Sequence, residues 1–110
     1  MARFRHVLSL VLLPVVGTAV HALAQTSSPD VEAGRQIAER HCARCHAIGR
    51  QGESTHKEAP PFRTFGENWP IESLEEALAE GIVVGHPDMP EFVFEPDEIS
   101  DLLAYLATLR

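Results

Sequence analysis

The sequence predicts a small all-α domain with three main helices separated by long irregular segments. Apolar side chains recur at helical spacing in three places, while residues 46–67 are rich in Gly and Pro. No alternating strand pattern of useful length occurs apart from the short stretch Glu91–Phe94. A chain of 110 residues has room for one domain, and a domain this small commonly depends on a disulfide, a metal or a cofactor for stability.

The first 24 residues have the composition of a secretory signal peptide. Two arginines precede an apolar run, Val7–Val16, and a small-residue cleavage site follows at 22–24. A retained membrane anchor is the alternative, but the apolar stretch is short for a bilayer span and contains Pro and Gly. We therefore expect export to the periplasm and no stable membrane span after cleavage. The predicted boundaries are a signal peptide at 1–24, a polar tether at 25–28 and one domain at 29–110.

The chain is strongly acidic once the leader is removed. Seven basic residues then face 16 acidic ones, which gives a formal charge of −9 with His neutral. This charge argues against a nucleic-acid partner, because phosphate backbones attract basic surfaces. The acidity serves either solubility or the steering of a basic partner protein.

The first helix is predicted from Pro29 to about His41, with Ser28 as its N-cap. A Gly inside a helix costs about 1 kcal/mol relative to Ala, so Gly34 indicates close contact with another element. The expected inward positions are Val31, Gly34, Ile37 and Ala38.

Turn-forming residues dominate from His46 to Glu67, and we expect one long ordered loop there. A loop of this length in so small a domain needs something to bind it together. A second helix is predicted at about Ile71–Glu80, with Gly81 as its stop. After a turn at Gly85–Pro90, the last helix begins near Pro96, and its apolar stripe comprises Ile99, Leu102, Leu103, Leu106 and Leu109.

The segment Cys42-Ala43-Arg44-Cys45-His46 carries the clearest chemical signal. Two thiols three positions apart can each add to one vinyl group of the same haem, and the adjacent His46 is then held as an axial ligand. A thioredoxin-like redox pair is disfavoured because no βαβ pattern surrounds the motif. A zinc site is disfavoured because no second ligand pair with standard spacing exists. A structural disulfide is the third alternative.

Three further segments accompany this motif: Ala-Pro-Pro-Phe at 59–62, Asp-Met-Pro-Glu-Phe at 88–92, and Leu-Leu-Ala-Tyr-Leu at 102–106. Together the four resemble the small class I bacterial cytochromes c over nearly all of residues 29–110. The resemblance implies a cytochrome c fold, with three main helices and long loops around one covalently bound haem c. It also implies that Gly34, which has no side chain, leaves room for Tyr105 where the first and last helices cross. Ala38 departs from the family pattern, which often has an aromatic there.

Met89 is the candidate for the sixth iron ligand. It is the only Met after the leader and lies in a Pro-flanked turn. Composition alone favours a core-filling role, but the local Met-Pro-x-Phe sequence resembles the distal ligand segment of the family; His86 is the alternative ligand. The predicted cofactor-binding residues are Cys42, Cys45, His46 and Met89, of which His46 and Met89 ligate the iron.

His/Met ligation leaves no open iron position, so it suits an electron carrier with a redox-protein donor and acceptor better than an enzyme. Two alternatives remain open: an electron-accepting subunit of a periplasmic dehydrogenase or oxidase, and a haem-based ligand sensor or weak peroxidase. The resemblance further implies that the carbonyl of Pro60 or Pro61 accepts a hydrogen bond from His46. Trp69 and Arg63 are weaker candidates for binding the haem propionates.

Overall fold

The computed structural model describes residues 27–81 and 86–110. These ranges contain helices and no strand, which confirms the all-α fold class. The predicted signal peptide and the first two residues of the tether, 25 and 26, lie outside the described residues. Within the two ranges, no helix combines the length and hydropathy needed to cross a membrane. The elements are α1 (Val31–His41), a 3₁₀ helix (Phe62–Thr64), α2 (Phe65–Asn68), α3 (Ser73–Glu80) and α4 (Pro96–Ala107).

Helix α1 begins two residues later than predicted. Its N-cap is Asp30 rather than Ser28, and the Asp30 carboxylate accepts hydrogen bonds from the backbone N–H groups of Glu32 and Ala33. Asp and Ser are comparable N-cap residues, so residue type alone does not decide between them. In the structure, the extended backbone at Asp30 places its carboxylate next to the unpaired N–H groups of the first turn. The inward face was predicted correctly at three positions, but Val31 is 43% exposed.

The packing of α1 on α4 forms the centre of the domain. A Cβ atom added to Gly34 would lie 2.0 Å from the carbonyl oxygen of Asp101 and 3.0 Å from the backbone nitrogen of Leu102. The close approach is therefore to the last helix, as expected, and its nearest atoms belong to the backbone of α4. Ala38 is fully buried, so the departure from the family pattern leaves no exposed gap at this position.

The irregular loop between α1 and α3 is shorter than predicted. Helical structure begins at Phe62 and continues through the one-turn helix α2 to Asn68. Pro61 is the cap residue, and its carbonyl accepts hydrogen bonds from both the backbone and the side chain of Thr64. Pro is favourable at the start of a helix, but the many turn-forming residues around Pro61 led to the prediction of a loop here.

Helix α3 begins at Ser73, after a turn in which the Ser73 N–H donates to the Pro70 carbonyl, rather than at Ile71. Gly81 ends it with a φ of +95°, which confirms the predicted stop. Helix α4 begins at Pro96 as predicted, and a Glu98 carboxylate oxygen accepts from the Glu95 N–H ahead of it. The buried apolar core comprises Ile37, Ala38, Phe62, Ile71, Leu78, Phe94, Ile99, Leu102, Tyr105, Leu106 and Leu109.

Candidate cofactor site around Cys42 and His46

The Cys42–His46 segment continues directly from the C-terminus of α1 as tight turns. The Cys42 carbonyl accepts from the N–H of Cys45 at 3.1 Å and from the N–H of His46 at 2.9 Å. Positions i, i+3 and i+4 of such a turn lie on one side of the chain. The turn therefore groups the two thiols and the imidazole on one side.

The two thiols are free and half-buried, and no disulfide joins them. The disulfide alternative from the sequence is thus not what the structure shows. Burial raises the pKa of the Cys42 thiol to about 11, because an apolar environment disfavours the thiolate. Cys42 also packs against the apolar core, so its sulfur lies at the boundary between the core and the turn.

His46 is oriented by a backbone carbonyl and two aromatic rings. Its Nδ1 lies 2.8 Å from the carbonyl oxygen of Pro60, which confirms the expected hydrogen bond and selects Pro60 over Pro61. The ring centroids of Phe62 and Phe65 lie 5.2 and 5.9 Å from the imidazole centroid. With Nδ1 engaged as a donor, Nε2 is the ring atom left to bind a metal.

The loop that supplies Pro60 is fastened to the Cys42–His46 turn at several points. The Ala47 N–H donates to Ser54 Oγ at 3.0 Å, and the Ala47 carbonyl accepts from the Phe62 N–H at 2.9 Å. The Thr55 hydroxyl donates to the carbonyl of Arg44 at 2.5 Å. These hydrogen bonds order the loop through contacts within the protein. From the sequence, we expected a bound group to order it.

Met89 lies half-buried in a turn closed by a 3.2 Å hydrogen bond from its N–H to the His86 carbonyl. The chain after it is anchored by Phe94, whose N–H donates to the Leu78 carbonyl of α3 at 3.1 Å. The His41 ring, to which the sequence assigned no special role, packs edge-on against Phe92 and Phe94. Contacts to α1 and α3 therefore fix the segment just after Met89.

The two candidate propionate ligands differ in their surroundings. Arg63 donates to the Gly52 carbonyl at 2.7 Å and lies 3.8 Å from a Glu53 carboxylate oxygen. Trp69 is 53% exposed and lines an open cavity of about 640 Å³ with residues 53, 54 and 56–61. Their role toward propionates stays a prediction.

A cluster that the sequence reasoning missed joins the loop at residues 56–58 to the turn at 86–88. One ligand atom from each of His56, His86 and Asp88 lies within 4.8 Å of the others. From the sequence, His56 has no ligand role, and His86 is only the alternative to Met89 as iron ligand. About 30 positions separate the two halves of the cluster, so no local spacing could reveal it.

The residues present fit a covalently bound haem by their chemistry. The described structure offers two free thiols and an imidazole grouped by one turn, with the imidazole orientation fixed through Nδ1. Met89 supplies a thioether, the ligand type that pairs with His in electron-carrying haem proteins.

Two comparisons with known proteins agree with this chemistry. Residues 29–106 match the family described as cytochrome c oxidase, cbb3-type, subunit III. The chain is also similar to cytochrome c-552 of Bradyrhizobium diazoefficiens, with 32% identity over 95 residues. That similarity covers 83% of this chain and 89% of the other protein.

Proposed function

Because the chain belongs to the family of small class I c-type cytochromes, which carry covalently bound haem c, we propose that it is an exported one-electron carrier with His46 and Met89 as iron ligands. Family membership establishes haem-based electron transfer in general terms, and Cys42 and Cys45 form the CXXCH attachment motif. The proposal adds the ligand pair, the periplasmic location and the absence of an enzymatic activity of its own.

The protein's residues have separable tasks in this function. Bound haem c supplies a one-electron Fe(III)/Fe(II) couple. Cys42 and Cys45 would hold it through thioether bonds, and His46 Nε2 and the Met89 sulfur would ligate its iron. The Pro60 carbonyl fixes the His46 tautomer, so the imidazole keeps one orientation in both oxidation states.

The observation that best supports the proposal is the hydrogen bond between His46 Nδ1 and Pro60. A ligating His almost always donates its other ring N–H to a carboxylate, a backbone carbonyl or water. A simple surface His would not need the two flanking aromatic rings and the tightly bonded loop that surround His46.

The ligand pair is tested by the near-infrared charge-transfer band that sulfur ligation gives to ferric haem. We expect the wild-type protein to show the band, Met89→Ala to lose it, and His86→Asn to keep it. Loss of the band in His86→Asn with retention in Met89→Ala would refute the assignment of Met89. A wild-type protein from which acid-acetone extracts the haem would refute covalent attachment.

Export is supported by the leader-like composition of residues 1–24 and by the haem chemistry itself. Mass spectrometry of the holoprotein from a periplasmic fraction should give an N-terminus at Gln25. A chain that begins at Met1 and sediments with membranes would instead indicate a retained anchor.

A second candidate function follows from the family description, which names a subunit of a cbb3-type oxidase. In that role the protein would deliver electrons within a stable complex rather than as a free carrier. Affinity purification in mild detergent separates the two: stoichiometric recovery of oxidase subunits would favour the complex, and recovery of the cytochrome alone would favour the carrier.

A further inference from the structure

The cluster at the meeting point of residues 56–58 and 86–88 has the composition of a transition-metal site. His56 Nε2 lies 3.1 Å from Asp88 Oδ2, and His86 Nε2 contacts the Glu58 carboxylate. The two imidazole rings face each other edge-on with centroids 5.0 Å apart. From these contacts we propose that His56, His86 and Asp88 bind a divalent transition-metal cation of the Zn²⁺ class, separate from the haem iron.

The donor set selects the class of cation. Two imidazole nitrogens and a carboxylate suit Zn²⁺ and its neighbours, whereas Mg²⁺ and Ca²⁺ prefer all-oxygen sites. The second carboxylate, Glu58, touches His86 and is available as a fourth ligand or as the group that accepts from a bound water. Two carboxylates beside two neutral imidazoles also balance the charge of a divalent ion.

The distances require only a small contraction. A tetrahedral ion with bonds of about 2.0–2.1 Å places its ligand atoms roughly 3.3 Å apart. The His56–Asp88 pair already matches this spacing at 3.1 Å, and all three ligand atoms lie within 4.8 Å of one another. The third ligand therefore needs to move by at most about 1.5 Å, which a partly exposed side chain such as His86 can do by rotation.

Metal binding also changes the proton on each ring. Without a cation, each Nε2–H is shared with a carboxylate, and each Nδ1 accepts a long 3.3 Å contact from the N–H of Glu58 or Asp88. When Nε2 binds a cation, the ring proton resides on Nδ1 and these two weak contacts are given up. The cation thus takes the place of the hydrogen bonds that now join the two segments.

A cation bound at this site would affect the Met89 turn, because Asp88 directly precedes Met89. A cation held by both segments would tie the Met89 turn to the loop that carries Pro60. The inference does not depend on Met89 being the iron ligand, since cation binding is measured without electron transfer.

The test is calorimetric titration of ZnCl₂ into tag-free ferric holoprotein dialysed against EDTA. We expect one saturable equivalent of Zn²⁺, and His56→Asn, His86→Asn and Asp88→Asn should each weaken it at least about tenfold. His41→Asn is the control, because it removes an exposed imidazole that lies outside the cluster, and it should bind Zn²⁺ as the wild type does.

Zinc X-ray absorption provides a second readout, which should show two imidazole nitrogens in the first coordination shell. Unchanged far-UV circular dichroism and haem spectra would establish that the variants fold. The proposal is overturned if the wild type shows no saturable binding, if the three cluster variants bind Zn²⁺ normally, or if His41→Asn loses binding equally. A failure of this kind would leave the haem assignment intact, because that assignment is read from the near-infrared band.

Discussion

His46 Nδ1 and the carbonyl oxygen of Pro60 lie 2.8 Å apart, although 14 positions separate the two residues in the chain. The neighbouring carbonyl, that of Pro61, accepts instead from Thr64 at the start of the 3₁₀ helix. The two adjacent prolines thus have different roles: Pro60 orients the imidazole, and Pro61 is the N-cap residue of the 3₁₀ helix. This division allows the two roles to be tested with matched variants.

Pro60→Ala should loosen the imidazole, because Ala keeps the carbonyl but frees the backbone φ that Pro restricts. A hydrogen bond contributes about 1 kcal/mol, so its weakening should accelerate hydrogen exchange at His46 Nδ1 by up to about fivefold. NMR of the reduced holoprotein measures this exchange. Pro61→Ala is the control and should leave the exchange rate unchanged; equal acceleration in both variants would mean that general loosening of the loop is responsible.

Gly34→Ala should destabilise the protein, because the new Cβ would lie 2.0 Å from the Asp101 carbonyl oxygen and the two helices would have to separate. Overpacking typically costs about 1–3 kcal/mol, and a clash with backbone belongs at or above the upper end of that range. Denaturant unfolding of the ferric holoprotein gives the free energy. Gly49→Ala, which would meet nothing within 4 Å, should be close to neutral. Similar values for both variants would argue against the tight helix crossing.

Asp30→Ala should lower the free energy of unfolding by about 1 kcal/mol, because its carboxylate caps α1 through the N–H groups of Glu32 and Ala33. Ser28→Ala should have almost no effect. Denaturant titration of both variants distinguishes the observed cap from the one that the Ser-Pro signature suggested. A larger loss in Ser28→Ala would favour the earlier helix start.

Tyr105 should titrate above the usual range of a phenol. Its ring is 8% exposed, and burial raises its pKa, with the Arg35 charge acting in the opposite direction. Since the native state retains the proton longer than the unfolded state, stability is fully present below pH 10, the ordinary value, and falls as pH rises further. Ultraviolet difference absorption measures this directly, because Tyr105 is the only tyrosine.

Two results check that assignment. The transition should move down toward pH 10 in denaturant and disappear in Tyr105→Phe. A native midpoint at or below 10 would contradict the buried environment. The hydroxyl itself donates to the Ile48 carbonyl at 2.9 Å, so Tyr105→Phe should also cost about 1 kcal/mol or slightly more by leaving that oxygen without its partner.

The parts of this fold that sequence predicted well are those with local causes. The α4 start at Pro96, the α3 stop at Gly81 and the inward placement of Ile37 each depend on residues within one or two turns. Errors arose where two nearby residues offered the same chemistry, as with the caps Ser28 and Asp30. The sequence predicted the close approach of Gly34 to the last helix, but residue types do not reveal that the nearest atoms there belong to the backbone of Asp101.

The candidate site shows the same division. The CXXCH turn followed from a motif with short, fixed spacing, whereas the Pro60 contact, which spans 14 positions, followed from the family resemblance. The cluster of His56, His86 and Asp88 was missed because its members meet only after the chain has folded back on itself.

The contact between the Asp30 N–H and Asp101 Oδ1 closes the domain across 71 positions of sequence. With the α1–α4 crossing beside it, this contact makes the intervening chain a single large loop whose two ends are fixed together. The entropy of closing a flexible loop rises only with the logarithm of its length, about 0.6 kcal/mol for each doubling. Insertions or deletions between the ligand segments should therefore cost little thermodynamically as long as the two terminal helices still meet, so evolution can vary the length of this region while the closure is kept. The same topology should slow folding relative to other small helical domains, because the stabilising contact joins the two ends of the domain.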